Sequence, residues 1–438
     1  MNEIAGIPYV EASFDKNGQG PEEEVALPAG VTDLIIMSHG WNNNKSKAED
    51  LYNGFFASFA AAAQPNDLSA RKLVILGVFW PSREYDTSVA VSGTPATGGG
   101  GAALGGGNGG SIKRLEEKLD DMKEIFTEAE QKKLLDEAKA LLPDLEEKAS
   151  VRDLFVNKMR SLLDPSAAGK EDASNIFFKD GGNELMKNLK AEEEDLGEDV
   201  AGGGAALPLG VSTPARAEGG AAGLVEILSG FKAAAINLLN YTTYYEMKTR
   251  SGTVGKNGVA PLIDKLASQV ERIHLIGHSF GCRVVTSAAL GSKTDKIKSM
   301  ILLQAAFSQN GFSKIEQGFY RAIVDNHRVK GPVLITHTPN DRAVGLAYPL
   351  ASRISGDKTM AFGDKDDLFG AMGRNGAQKM EQGEAVEGKL LSVGGPYAFK
   401  ANTYFNLEAS DFIKNHNDIK GKEVGYVVRK VVATAGMG

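Results

Sequence analysis

Ile273-His274-Leu275-Ile276-Gly277-His278-Ser279-Phe280-Gly281-Cys282-Arg283-Val284-Val285-Thr286-Ser287-Ala288-Ala289-Leu290 decides how this chain is read. Its first four residues are an apolar run that predicts a short strand, and Cys282 to Leu290 predicts a small-residue helix. Between them, Gly277-His278-Ser279-Phe280-Gly281 fits G-x-S-x-G. Strand, sharp turn and helix form the setting in which that pattern presents a serine nucleophile. The turn forces the serine into a strained conformation, and strand and helix pass so closely that a side chain at Gly277 or Gly281 is expected to clash. Ser279 is then expected to stand exposed above the sheet, with the Phe280 N–H aimed at a reacting carbonyl oxygen.

A serine hydroxyl is a poor nucleophile at neutral pH and needs a base, an orienting carboxylate and an oxyanion hole. At such elbows the chain order is Ser, then Asp or Glu, then His. The chain has six histidines, at 39, 274, 278, 327, 337 and 416. Only His416, in Lys414-Asn415-His416-Asn417-Asp418-Ile419, lies beyond the best acid candidate. That acid is Asp341. Pro332 to Thr338 reads as a largely apolar strand and Pro339-Asn340-Asp341-Arg342 as its closing turn, and open α/β sheets place functional groups just past such strand ends. Asp341 as a mere Asx turn is the plainer alternative, and Asp325 and Asp418 are the other acids weighed. For the oxyanion hole, the strand Asp33 to Ser38 runs into His39-Gly40-Trp41-Asn42. Gly40 allows a sharp bend, so the Trp41 N–H can pair with that of Phe280, and losing one such donor costs about 3 kcal/mol of transition-state stabilisation. Packing by the Trp41 indole is compatible with either reading.

These residues resemble the α/β-hydrolase superfamily over about Leu34 to Ile419, apart from a large internal insertion. The motifs are Ser38-His39-Gly40-Trp41, Val78-Phe79-Trp80-Pro81-Ser82, the elbow, and the acid and histidine turns. The H-G-W-N start with W-P-S resembles a bacterial lipase-like or esterase-like branch, as do Tyr244 to Lys248, Asp341 to Gly345 and Met372 to Gln378. The resemblance implies an α/β fold, a mostly parallel central sheet flanked by helices, with serine-hydrolase chemistry. It implies no substrate.

Composition fits a folded enzyme. The 438 residues carry 42% hydrophobic and 7% aromatic content, enough for a sizeable core. A net charge of −7 argues against a nucleic-acid partner. One cysteine, Cys282, allows no disulfide within the chain, and a small buried side chain is its expected role. The amino terminus lacks the basic and apolar regions of a signal peptide, and no stretch has the length of a membrane span. The expected location is the cytoplasm, or outside the cell by a route without a cleavable signal. No zinc-type cluster and no nicotinamide or flavin fingerprint is present. Gly252-Thr253-Val254-Gly255-Lys256 lacks phosphate-loop spacing, so no cofactor is expected.

The chain is organised around an interruption. Residues 1–96 are expected to begin the core, with strands over Ile7–Phe14, Glu24–Leu27 and Lys72–Trp80 and a helix over Lys45–Ala63. Residues 223–438 complete the core, with a helix over Val259–Val270 before the elbow. Residues 97–222 read as a flexible, helical insertion. Thr97 to Gly110 is glycine-rich and expected to be disordered. Ile112 to Leu142 predicts one charged helix with a coiled-coil-like stripe of Ile112, Leu115, Leu119, Met122 and Phe126, and a helical pattern resumes over Leu145–Leu163. The acidic run Glu192 to Asp195 and the glycines near Gly202 suggest a second linker. A helix from Gly223 to Lys248 serves either as core packing or as a lid with transient membrane-surface contact.

The expected function is hydrolysis of a carboxylic ester or lipid by a lipase, esterase or phospholipase. One alternative is a secreted bacterial effector hydrolase whose insertion docks a protein partner or a second copy. Another is a non-catalytic binding scaffold.

Overall fold

A computed structural model describes residues 2–63, 68, 70–82, 108–190, 230–341, 351, 353–355 and 369–435. The glycine-rich stretch up to 107, the acidic run at 192–195, the glycines near 202 and positions 342–345 lie outside the described residues. The chain divides into two compact units. The first comprises Met1–Glu84, Met247–Tyr348 and Ala361–Gly438, and the second Tyr85–Glu246 and Pro349–Met360.

The first unit is an α/β fold built on a nine-stranded sheet. Its strands are β1 (Asn2–Ile4), β2 (Ile7–Ser13), β3 (Asp33–Ser38), β4 (Leu73–Phe79), β5 (Arg272–His278), β6 (Ile297–Leu303), β7 (Val333–His337), β8 (Ala385–Lys389) and β9 (Tyr404–Glu408). They lie in the order β1-β2-β4-β3-β5-β6-β7-β9-β8. Only the β1–β2 pair is antiparallel. Central strands such as Asp33–Ser38 are buried along their length, which explains why they read as continuous apolar runs rather than alternating ones.

Alternate residues face opposite sides. Ile35, Met37, Ile75, Ile276, Ile301 and Leu334 pack with the helices Lys45–Ala61 and Lys422–Thr434. On the other face lies the helix Phe280–Gly291, whose Thr286 reaches Met300 Sδ at 3.8 Å. Asn44 caps the first of these helices by accepting from the Lys47 N–H at 2.9 Å. Arg71 satisfies the end of the helix Lys422–Thr434 through the carbonyls of Val432, Ala433 and Ala435. At the amino end of the sheet, buried Asp33 accepts from Arg71, Arg272, His274 and Thr32. Burial opposes its charge, but these donors outweigh burial and hold the carboxyl far below the usual range.

The structure corrects several expectations. Glu24–Leu27 is not a strand. The segment before the elbow is not one helix over Val259–Val270. The helix Gly230–Thr253 passes through a π turn (Val254–Val259) into Ala260–Leu266 and a short 3-10 turn. Gly252 to Lys256 belongs to this passage. A side chain at Gly255 would overlap the Val284 carbonyl of the helix after the elbow, so this glycine serves a close helix crossing.

The second unit is described by helices Asn108–Met122, Ala129–Lys139, Ala149–Ser161, Ser174–Lys179 and Gly182–Asn188 and by the helix Gly230–Thr253 as far as Glu246. The single helix expected over Ile112–Leu142 is broken, because Glu128 starts a new one and donates its N–H to Gln131 Oε1 at 3.4 Å. Leu115, Leu119, Met122 and Phe126 are buried together with Leu135, Phe155 and Met159. The stripe therefore belongs to a compact helical core rather than to an extended coiled-coil seam. Tyr241 and Tyr245 donate their hydroxyls to the carbonyls of Asp172 and Asp164, both at 2.8 Å. No described helix is long and apolar enough to cross a membrane.

Candidate active site

Parallel registry brings five strand ends side by side. Ser38 pairs with Gly277, His278 with Leu303, Leu303 with Thr336, and His337 with Glu408. The next residues are therefore the His39-Gly40-Trp41 turn, Ser279, Gln304, the turn holding Asp341, and the segment leading to His416. This is the carboxyl end of the sheet, where open α/β folds place ligands.

Ser279 has φ 55° and ψ −125°, a region costly for any residue with a Cβ. Its surroundings hold that strain in place. The Ser279 N–H donates to Leu303 O at 3.1 Å, and its carbonyl accepts from Ala306 N at 3.2 Å. Side chains on Gly277 and Gly281 would overlap the Cys282 backbone and the Ser38 and His39 carbonyls. Both glycine expectations therefore hold. The serine itself is buried, at 5% exposure, and does not stand in solvent. Gly40 packs directly on it: a Cβ there would lie 2.5 Å from Ser279 Cβ and 3.1 Å from Oγ. Cys282 is buried as expected, and burial pushes its thiol well above the ordinary value.

His416 and Asp341 meet as an ion-pair-ready couple. His416 Nδ1 donates to Asp341 Oδ2 at 2.8 Å, which leaves Nε2 as the ring's acceptor. Asp341 is fully buried, while the His416 side chain keeps 15% of its surface. The turn carrying the acid is tied to the segment carrying the base. Asn340 Nδ2 donates to the Ser410 and Ile413 carbonyls, and Ala409 N–H to His337 O. The alternative acids are engaged elsewhere. Asp325 accepts from Arg321 Nε at 2.8 Å, and Asp418 from the Lys414 N–H at 3.0 Å within the histidine loop. Among the described residues no hydrogen bond joins the Ser279 hydroxyl to His416. The ring of His278, the residue before the serine, lies 4.9 Å from that of His416.

The turn after β3 is braced by side chains on both of its flanks. His39 Nδ1 donates to Gly40 O at 2.9 Å, and Asn43 Nδ2 donates to the carbonyls of Gly40 (3.1 Å) and Trp41 (2.9 Å). With the Gly40 carbonyl held there, the Trp41 N–H of the same trans peptide points the opposite way. The W-P-S stretch supplies the outer brace. Trp80 stacks on His39 with rings 5.7 Å apart and donates Nε1–H to His39 O at 3.0 Å. Ser82 Oγ donates to Asn43 O at 2.9 Å. Burial lowers His39 to about 4, so it remains a neutral Nδ1–H donor. Phe280 opens the helix after the elbow, so its N–H belongs to the first turn, whose donors point out of the helix end.

Two residues of this cluster were not singled out from the sequence. His278 Nε2 donates to the His416 carbonyl at 2.8 Å and so fixes the base loop. Burial, and then the neighbouring His416, lower His278 to about 3, keeping it neutral. Gln304 Nε2 donates to Asp341 Oδ2 at 3.1 Å. The signal for both was position: each stands at the end of an apolar strand.

Among the described residues no group of three or more His, Cys, Asp or Glu side chains is placed to hold a metal ion. No protein-family model matches this chain, and no curated protein or solved structure matches it.

Proposed function

We propose that this protein is a serine hydrolase of the α/β-hydrolase type that cleaves carboxylic esters, with lipase, esterase or phospholipase substrates as the class. Residues 97–222 are its helical insertion in that reading. The observation that carries it is the 2.8 Å bond from His416 Nδ1 to buried Asp341, at the strand ends beside a serine held at φ 55°.

In the proposed reaction Ser279 Oγ attacks the ester carbonyl carbon while its proton passes to His416 Nε2. Asp341 holds the Nδ1–H tautomer and stabilises the imidazolium. The carbonyl oxygen becomes an oxyanion that accepts from the Trp41 and Phe280 N–H groups. Collapse breaks the ester C–O bond, and His416 returns its proton to the leaving alcohol. Water then attacks the acyl-enzyme with His416 again as base, releasing the acid and restoring Ser279. Each step uses side chains and amides of this chain and no cofactor.

A panel of short-chain and long-chain esters tests the reading. The parental protein is expected to hydrolyse at least one ester, and Ser279→Ala to lower that rate by at least about 10⁴-fold with unchanged thermal stability. Turnover that survives Ser279→Ala, or no turnover of any ester by the parental protein, would remove the proposal.

A further inference from the structure

We propose that Gln304 is a positioning residue that fixes the Asp341 carboxylate for His416, an inference that rests on reading that pair as the acid and base of a hydrolase. Gln304 is the first residue past β6, on the strand end next to the nucleophile strand. It is fully buried and has φ 50°, a region that residues other than glycine seldom occupy. Each polar atom of its amide is used. Oε1 accepts from Thr336 Oγ1 at 2.9 Å, and Nε2 donates to Gly373 O at 2.9 Å and to Asp341 Oδ2 at 3.1 Å.

The amide's orientation is fixed by chemistry. A carbonyl and a carboxylate only accept, so exchanging the amide's oxygen and nitrogen would set oxygen against both. The turn Met372–Asn375 locks the arrangement from outside. A side chain on Gly373 would press into the Gln304 backbone, Gly373 N–H donates to Ala305 O at 2.9 Å, and Thr338 N–H donates to Gly373 O at 3.0 Å. Strands β6 and β7 and this turn thus converge on one carboxylate oxygen. That oxygen accepts from both Gln304 and His416. A neutral donor on a buried carboxylate favours its charged form and sets the direction of its lone pairs. Without that donor the pair should hold its proton more tightly, so the His416 titration should move to higher pH.

The other titratable or charged groups around the pair are His278 at the end of β5, Cys282 in the following helix and His337 in β7. Arg374 in the covering turn donates to Pro339 O, and Lys414 and Asp418 lie in the base's own loop. Burial keeps the His278 imidazole and the Cys282 thiol neutral across the neutral range. Neither contributes a titration there.

The experiment compares Gln304→Met and the near-isosteric Gln304→Glu with the parental chain. It reads kcat and KM on a short soluble ester against pH, and the His416 imidazole by NMR titration, which needs no turnover. The expected result for Gln304→Met is KM within about twofold, kcat lower by about tenfold or more, and a His416 titration about half a pH unit or more higher. Gln304→Glu places a second carboxyl against Asp341 and should move the titration further upward. It carries the test alone if Gln304→Met does not fold. A titration and kcat unchanged in both variants would overturn the proposal, even if thermal stability fell. An inactive parental chain whose His416 titration still moved would sink the hydrolase reading and leave the clamp on Asp341 standing.

Discussion

At the scale of single residues, the site combines strain at Ser279 with full burial at Asp341. A buried carboxylate is costly unless it is paired and hydrogen-bonded, and Asp341 faces both His416 and Gln304. Asp341→Asn therefore removes the charge that supports an imidazolium. It is expected to lower kcat by about 10²–10⁴-fold with little change in KM. Asp325→Asn, which touches only the Arg321 cluster with Glu381 and Glu384, should leave kcat within about twofold. Steady-state kinetics on the same ester separates the two, and the reverse pattern would assign the acid to Asp325. Ser279 and Asp341 were singled out because each follows an apolar run, and His416 because it alone of the six histidines lies beyond Asp341; the structure brings His416 and Asp341 together. Gln304 was not singled out, since a glutamine carries no chemical signature and only the fold brings it to Asp341. His278 was set aside as a base, and that reading had no place for a neutral imidazole bonded to the His416 carbonyl.

At the scale of elements, the H-G-W-N and W-P-S stretches form one device. Asn43 bonds two successive carbonyls of the turn, and Trp80 and Ser82 brace it from the segment just past β4. Asn43→Ala should loosen the Gly40–Trp41 peptide, leaving His39 alone to hold the Gly40 carbonyl. The expected result is a kcat loss of about tenfold to a hundredfold, below the full cost of a lost oxyanion donor, with KM nearly unchanged. Equal kcat in variant and parent would show that the turn holds itself without this side chain. Central strands β3, β4, β5 and β7 were legible because burial on both faces leaves apolar runs, whereas β6, whose run is broken by Lys298 and Ser299, was not read. Strand β9 was not read: its Asn406 breaks the run, yet it is buried and bonds Ala377 through both N–H and carbonyl. Strand β8 is an exposed edge with Glu387 and Lys389, so it lacks an apolar signal. Glu24–Leu27 buries Val25, and one buried side chain sufficed to mimic a strand pattern.

At the scale of the whole molecule, buried neutral histidines tie stability to pH. His39 and His278 are lowered to about 4 and about 3 by burial, and His274 is lowered as well. Between an unfolded value near 6.5 and those folded values, the unfolded chain binds protons that the folded chain refuses. Stability from these groups is thus complete above about pH 6.5 and is lost as pH falls, by up to about 1.4 kcal/mol per pH unit for each histidine. The melting temperature should drop between pH 7 and pH 5, and less steeply in His278→Asn. A flat profile over that range would contradict the burial of these rings. The Asp33 carboxyl, held low by its donors, should add its loss only below about pH 4. The boundaries that glycine and charge composition suggested, at 97 and 222, lie outside the described residues. The compact core of the second unit was not legible, because its helices are short and the apolar stripe resembled a longer one.

The central claim is that Ser279 is a nucleophile activated by His416 and Asp341, and reaction with a fluorophosphonate followed by peptide mass mapping tests it most directly. The account predicts one phosphonyl adduct, on Ser279, that is absent from Ser279→Ala and nearly absent from folded His416→Ala. No adduct on the folded parental protein, or one carried by another residue, would contradict it.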